Sequence, residues 1–316
     1  MSPLRSAFLD IGTNTILCLI AELGDAGRFA VLDDLAEIVR LGEGVDQSGL
    51  ISAEGERRSV EVLKNYLRRC AELKVKEVIA VGTSALRDAK NSSEVRARFK
   101  NDLGLEVRVI SGNEEAAYSF LAVQKGLALP GKELLVIDTG GGSTEFIRGN
   151  ESGVSQALSL NVGSVRLTER FLHSDPVRAG ECVAMVAAID EELKSLRNQR
   201  LGQLSDLTLV GIAGTFTTLA AVEKKLIHYS HSEVHGTTLP LSEVRRQVRL
   251  FQEKSVAERK TIPGLEPKRA DVILAGAYLI ERIMTLFGVE QVIVSDQGVR
   301  YGLLYERLKK NVDIFN

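Results

Sequence analysis

The sequence predicts a duplicated α/β protein: two similar halves with a cleft between them. Three observations carry that prediction. A short turn opened by an aspartate and rich in glycine and hydroxyl side chains occurs twice, as Asp10-Ile11-Gly12-Thr13-Asn14-Thr15 and as Asp138-Thr139-Gly140-Gly141-Gly142-Ser143-Thr144-Glu145. Each turn follows an apolar run that reads as a buried strand, Ala7 to Leu9 and Leu134 to Ile137, and each leads into another strand-like run. In both halves several strands precede the helices, so each half has the length and contents of a small domain.

The elements follow in order. Strands are predicted at about 5–10, 15–23, 28–33 and 35–41, with turns at Gly12, Gly24-Asp25 and Asp33-Asp34. A helix over 53–73 follows from Val60, Leu63, Leu67, Cys70 and Leu73, which repeat at three- and four-residue steps and form one apolar stripe. Then come a buried strand at 77–81, a helix at 94–103, a strand at 105–110 and a helix at 114–126 with Ser111 as its cap. The second half repeats the plan: strands at 133–138, 144–149 and 153–160, helices at 164–172 and 176–199, and a strand at 206–211. Gly211 to Thr215 leads into a helix ending near Leu226, with Thr215 as a candidate cap. Helices at 241–254 and 268–287, a strand at 291–294 and a helix at 298–311 complete the chain. The expected domains are 1–124 and 125–299, hinged near 124–131, with the C-terminal helix of 300–316 packing back on the first.

Composition excludes more than it specifies. The 316 residues are 44% hydrophobic and 26% charged, and 40 basic residues nearly balance 42 acidic ones. That balance gives no reason to expect a nucleic-acid or membrane partner. No apolar run approaches the roughly 18 residues of a membrane span, and the N-terminus lacks an apolar targeting core. Cys18, Cys70 and Cys182 are dispersed and odd in number, which argues against a disulfide scaffold or structural zinc and for a reducing cytoplasm. His228, His231 and His235 cluster, but among Tyr229, Ser230 and Ser232 they read as a polar loop rather than a metal site.

The turns carry the chemistry. Glycines let backbone N–H groups converge on an anion, and Thr13, Thr15, Ser143 and Thr144 add hydroxyls. An aspartate opening such a turn repels phosphate unless a cation, most simply Mg²⁺, lies between them. Two ordinary hairpins with surface carboxylates are the plain alternative. There is no P-loop motif, and Gly140-Gly141-Gly142 is followed by a strand rather than the helix a dinucleotide fingerprint requires. Gly214 and Thr215, in a glycine-rich strand-to-helix step, are a third candidate anion contact. Arg87 follows a buried strand and is either a phosphate fork or half of a salt bridge. Glu114 and Glu115 suit the first turn of a helix, and a carboxylate there can also deprotonate a water.

With these residues in view, the chain resembles the exopolyphosphatase/guanosine pentaphosphate phosphohydrolase (Ppx/GppA) family. The matching segments are DIGTNT at 10–15, GTSALRDAKN at 82–91, ISGNEEA at 110–116, DTGGGSTE at 138–145, GIAGTFTTLA at 211–220 and GLEPKRADVILAG at 264–276, with VSDQGVRYGLL at 294–304 matching more loosely. The resemblance implies duplicated actin-like (ribonuclease H-like) domains of the sugar kinase/Hsp70/actin superfamily. It implies Mg²⁺-assisted hydrolysis of a terminal phosphoanhydride in polyphosphate or guanosine pentaphosphate, with a homodimer as a further expectation. By resemblance Glu115 is the catalytic base, with Glu114 its rival, and Asp10, Asp138 and Glu145 are the acidic positions that serve metal and water. Thr13, Asn14, Gly140, Gly141, Gly142, Ser143 and Thr144, with Arg87, are then the phosphate contacts. Thr15 stands where serine is common, Thr139 where isoleucine is, and Val299 and Tyr301 where leucine and glutamate are. The last two put the role of the late segment in question. Longer family members carry additional C-terminal helical domains. An ATP-dependent kinase on the same core and a non-catalytic nucleotide-binding regulator are the competing readings. A candidate base and the lack of a recognisable sugar-binding insert weigh against the kinase, and intact water-activating and metal-binding candidates weigh against the regulator.

Overall fold

The computed structural model describes residues 4–24, 27–129, 131–198 and 207–314. The chain divides into two compact units, one formed by residues 1–122 with 299–316 and the other by 123–298. No helix among the described residues is long and apolar enough to cross a membrane.

The first unit contains β1 (Leu4–Ile11), β2 (Thr15–Leu23), β3 (Phe29–Ile38), the short α1 (Val45–Ser48), α2 (Ala53–Glu72), β4 (Glu77–Gly82), α3 (Ser84–Asp88), α4 (Ser92–Leu103), β5 (Val107–Val109) and α5 (Gly112–Gly126), whose end passes into the second unit. Its sheet has the order β3-β2-β1-β4-β5. β1–β2 and β2–β3 are antiparallel hairpins, while β1–β4 and β4–β5 are parallel. Side chains alternate across the sheet. Ala7, Leu9, Ile11, Cys18 and Ile20 therefore face α2 and α4 through Leu63, Tyr66, Cys70, Val95 and Phe99. Phe8, Leu19, Ala21 and Leu23 face the other way, toward Tyr118 and Ala122 of α5 and the final helix. Each fully buried large apolar side chain contributes about 1.5–3 kcal/mol, so this two-faced burial fixes the register of β1.

The second unit contains β6 (Glu133–Thr139), β7 (Thr144–Asn150), β8 (Gly153–Leu160), α6 (Ser164–Phe171), α7 (Ala179–Asn198), β9 (Leu207–Ile212), α8 (Ala213–Glu223), α9 (His231–Val234), β10 (Thr238–Pro240), α10 (Leu241–Gln252), α11 (Val256–Arg259), α12 (Ile273–Phe287) and β11 (Gln291–Val294). α13 (Val299–Ile314) then returns to the first unit, where it packs on β1 and β2. The second sheet runs β10-β11-β9-β6-β7-β8. Its β8-β7-β6-β9-β11 portion repeats the order and strand directions of the first, with β10 added antiparallel at the edge. The two units thus repeat one α/β plan, the duplication the sequence predicted.

Besides the unexpected short elements α1, α3, α9, β10 and α11, three expected ones differ. β3 is a single strand through Asp33 and Asp34, where the sequence predicted a turn. Asp33 accepts from Arg69 Nε at 2.7 Å, and Arg300 pairs with Asp34, so long-range cations hold both turn-forming acids inside a strand. α8 begins at Ala213, so Thr215 lies inside it rather than capping it. The predicted helix at 268–287 is a 3₁₀ turn, Pro267–Arg269, followed by α12. The predicted strand start at 206 and helix end at 199 lie outside the described residues.

Ser111 does cap α5. Its hydroxyl accepts from the Glu114 N–H at 3.2 Å, while Glu114 Oε2 accepts from the Ser111 N–H at 2.9 Å. Removing this reciprocal pair by Ser111→Ala is expected to cost about 1 kcal/mol of stability, read as a lower urea midpoint at unchanged slope.

Candidate active site

The two aspartate-led turns have one geometry. In the first unit Gly12 N–H donates to Thr15 O at 3.0 Å, and in the second Gly140 N–H donates to Ser143 O at 3.0 Å. Each closes a four-residue link, between the Ile11–Ile16 and Thr139–Thr144 cross-strand pairs. The carbonyls of Thr13 and Asn14 accept from the segment after β3: Thr13 from Gly42 at 2.8 Å, Asn14 from Val39 and Arg40 at 2.9 and 3.0 Å. Both residues remain partly exposed at the turn.

In the first unit, Asp10 is the penultimate residue of β1, on the Phe8 face. Its Oδ1 is shielded from solvent and has no hydrogen-bond partner. Burial first, and the neighbouring Glu115 carboxylate second, push the Asp10 carboxyl up to about 7, against the pull of Arg300. Glu115 lies in the first turn of α5, 9% exposed, and accepts from Arg87 Nη1 at 2.9 Å. The same nitrogen donates to Ile110 O at 3.2 Å. Burial raises the Glu115 carboxyl above its ordinary range, and the Arg87 guanidinium opposes that. Of the two sequence options for Arg87, the salt bridge is the one present. Glu114 has the opposite environment: the Ser111 N–H, Arg108 and the Ser111 hydroxyl hold it below the usual carboxylate range. Glu114 is therefore a capping residue, whereas Glu115 is buried beside Asp10.

In the second unit, Asp138 and Glu145 stand directly opposite each other across β6 and β7. Cross-strand neighbours of like charge destabilise a sheet unless a cation or proton intervenes. Glu145 is 5% exposed and accepts from the Ser159 hydroxyl at 2.8 Å. The buried Thr139 hydroxyl has no partner. The triglycine turn is held from behind by α6. Gly140 O accepts from Ser164 N–H at 3.1 Å, and Gly141 O accepts from Val165 and Arg166 N–H at 2.9 and 3.1 Å. Gly142 O accepts from Arg166 Nε at 2.9 Å. The open N–H groups of a helix start thus satisfy the turn's carbonyls. The N–H groups of Gly141, Gly142 and Ser143 donate to no backbone carbonyl among the described residues, which suits them to an anion.

Two expected phosphate contacts have side chains packed into the fold. Thr144 is fully buried and its hydroxyl donates to Val162 O at 2.6 Å, so its side chain is committed to the fold. Thr215 is buried against Gly276. Gly214 lies two residues past the end of β9, whose Ile212 pairs with Asp138, and it presses against the Arg269 guanidinium. Two of the clustered histidines are engaged by the fold: His235 Nδ1 accepts from Asp296 N–H at 3.2 Å, its Nε2 meets Gly126 O at 3.1 Å, and His231 Nδ1 pairs with Asp296.

Sequence reasoning missed Gly163, Arg166, Asp34 and Arg300. A glycine ahead of a helical segment was the one local signal. The others depend on partners distant in sequence.

Residues 19–311 match the family model described as the Ppx/GppA phosphatase family. The chain is 34% identical to exopolyphosphatase 2 of Mycobacterium tuberculosis over 96% of this chain and 98% of that one. It is 32% identical to the bifunctional 3-dehydroquinate synthase/phosphatase of Fusobacterium nucleatum over 95% of this chain, but spans only 46% of that longer protein. The crystal structure of the Aquifex aeolicus Ppx/GppA family member superposes with a TM-score of 0.81 at 35% identity, covering 98% of both chains. The chain belongs to the Ppx/GppA phosphatase family.

Proposed function

We propose that this protein is a Mg²⁺-dependent exopolyphosphatase that releases orthophosphate from the end of inorganic polyphosphate. Guanosine pentaphosphate, which ends in the same phosphoanhydride, is the second substrate to test. The observation that carries the reading is the turn at 140–143: three N–H groups without backbone acceptors lie beside the facing carboxylates of Asp138 and Glu145.

The donor set suits a hard divalent cation. Asp10 Oδ1 is buried and unpartnered, and Asp138 faces Glu145 across two strands. No three His, Cys, Asp or Glu among the described residues converge on one point. Mg²⁺ needs no such cage, because it is commonly held by one or two carboxylates together with substrate phosphates. Asp10 in the first unit and the Asp138–Glu145 pair in the second are each candidate ligands, and a bound cation would neutralise phosphate charge and polarise the terminal phosphoryl group.

The chain's own residues do the rest. The N–H groups of Gly141, Gly142 and Ser143 meet the charge on the phosphoryl being transferred. Glu115, made more basic by burial and held by Arg87, takes a proton from a water. That water's oxygen bonds to the terminal phosphorus as the bond to the bridging oxygen breaks. The products are orthophosphate and a chain one phosphate shorter. None of the three buried cysteines is in a disulfide, in keeping with action in the cytoplasm.

Phosphate release from polyphosphate and from guanosine pentaphosphate, with and without Mg²⁺, tests this directly. Mg²⁺-dependent release is expected, lost on chelation. No release from either substrate, with phosphoryl transfer to an alcohol instead, would replace hydrolysis by the kinase reading.

A further inference from the structure

The late segment that begins at Val294 has no part in the proposed reaction, yet it starts on the sheet edge that carries the triglycine turn. β6, β9 and β11 are neighbouring parallel strands of the second sheet. Asp138 of β6 is level with Ile212 of β9, Val294 of β11 is level with Gly211, and the Ser295 N–H donates to Gly211 O at 2.9 Å. Ser295 therefore stands level with Asp138, two strand spacings or about 10 Å away. In open α/β sheets ligands bind outside the carboxyl ends of parallel strands. At that edge the triglycine turn follows β6, and Asp296 follows β11.

Asp296 anchors a pair of rings. The Tyr229 hydroxyl donates to Asp296 Oδ1 at 2.8 Å, and His231 Nδ1 pairs with Oδ2. The Tyr229 and His231 rings meet edge to face, with centroids 5.1 Å apart and an interplanar angle of 85°. Asp296 is itself fixed, because its N–H donates to His235 Nδ1 at 3.2 Å and His235 Nε2 meets Gly126 O at 3.1 Å. Every one of these residues belongs to the second unit. Tyr229 is nonetheless 49% exposed, and Ile227, two residues earlier, is 87% exposed. Single apolar side chains on a surface are ordinary. An aromatic ring fixed at its hydroxyl and against a second ring, yet half open to water, is pre-organised for a flat apolar partner.

We infer that Tyr229, held by Asp296 and His231, is a stacking platform for the purine base of guanosine pentaphosphate. Inorganic polyphosphate has no apolar part and gains nothing from an exposed tyrosine, whereas a purine gains its whole face. The ribose and inner phosphates separate the base of this substrate from its terminal phosphoryl group, just as the sheet edge separates the platform from the triglycine turn. The base and the terminal phosphate are then held by one sheet, and the phosphate turn alone serves polyphosphate. This inference rests on the reading of that turn as the phosphate site and of guanosine pentaphosphate as the second substrate.

The test compares Tyr229→Ala and Tyr229→Phe with wild type, all as the full chain. KM and kcat are measured on guanosine pentaphosphate and on polyphosphate, and the dissociation constant of guanosine tetraphosphate, the product, is measured by calorimetry. Tyr229→Ala is expected to raise KM for guanosine pentaphosphate and the dissociation constant of the tetraphosphate by about tenfold, the scale of one lost base stack. Its kcat on guanosine pentaphosphate, and both constants on polyphosphate, are expected to stay within about twofold, as for a lost contact made equally in ground and transition states. Tyr229→Phe keeps the ring and is expected to stay within about threefold of wild type throughout. Activity on polyphosphate shows that each variant is folded. No change on guanosine pentaphosphate in Tyr229→Ala, or an equal rise in KM on both substrates, overturns the platform. Wild type that cleaves polyphosphate but does not bind the tetraphosphate also overturns it and leaves the polyphosphatase reading standing. Wild type that cleaves neither substrate refutes the hydrolase reading instead. The tetraphosphate then decides the platform alone: a tenfold loss of binding in Tyr229→Ala upholds it, and undiminished binding or none by wild type overturns it.

Discussion

Glu115→Gln is expected to lower kcat for phosphate release by about 10³-fold, within the 10²–10⁴ range of general-base catalysis, while leaving the fold and polyphosphate binding intact. Glutamine keeps the size of the side chain and an oxygen that can still accept from Arg87, whose Nη1 now lies 2.9 Å from Glu115. What it removes is the capacity to take a proton. The variant also relieves the repulsion between Glu115 and Asp10, so its melting temperature should match or exceed wild type. The control is the neighbouring residue. Glu114 is bonded to Ser111 and Arg108, so Glu114→Gln should cost up to about 1 kcal/mol of stability with kcat nearly unchanged. Steady-state kinetics, substrate binding and thermal melts on the two variants separate these outcomes. A large kcat loss in Glu114→Gln with near-normal turnover in Glu115→Gln would exchange their roles.

The sequence made the turns legible because their geometry is local. Gly12 and Gly140 each close their turn onto a hydroxyl residue three positions on, and the flanking apolar runs set the strands. The cap of α5 was legible for the same reason: Ser111 and Glu114 are one helical turn apart. Asp33 and Asp34 show where local reasoning stops. Their type favours a turn, but their charges are met by Arg69 and by Arg300, the latter 266 positions away. Local propensity loses wherever a distant partner supplies the missing charge. Thr215 failed differently. A threonine after a glycine reads as a cap, yet Ala213 takes a left-handed φ of 70° at the junction and starts the helix two residues early. Nothing in the residue types announces that an alanine will adopt that conformation. The support of the triglycine turn was equally hidden, because α6 reaches it from more than twenty residues downstream.

Gly163→Ala tests that support, and its effect should be large for so small a change. Gly163 has φ −155° and ψ 168°, an extended conformation open to any residue, so backbone freedom does not explain the glycine. Space does. A Cβ at this position would lie 2.4 Å from Gly141 O, 2.5 Å from Gly141 C and 2.7 Å from Gly142 N. All three are backbone atoms of the triglycine turn, which cannot rotate away as a side chain can. Either α6 retreats or the turn moves. A retreat breaks the bonds from Ser164, Val165 and Arg166 to the Gly140 and Gly141 carbonyls, and the freed carbonyls can then rotate the N–H groups off their target. Overpacking of this kind costs about 1–3 kcal/mol. A displacement near 1 Å at a phosphate-positioning group costs about 10²-fold in rate. Gly163→Ala should therefore melt lower and lose about 10² in kcat/KM for polyphosphate. Gly180→Ala, in the first turn of α7 where an added Cβ meets nothing within 4 Å, is the matched control and should be neutral or slightly stabilising. Equal activity in the two variants would mean that the turn keeps its shape without α6 behind it, and the phosphate cradle would then have to be sought in other N–H groups.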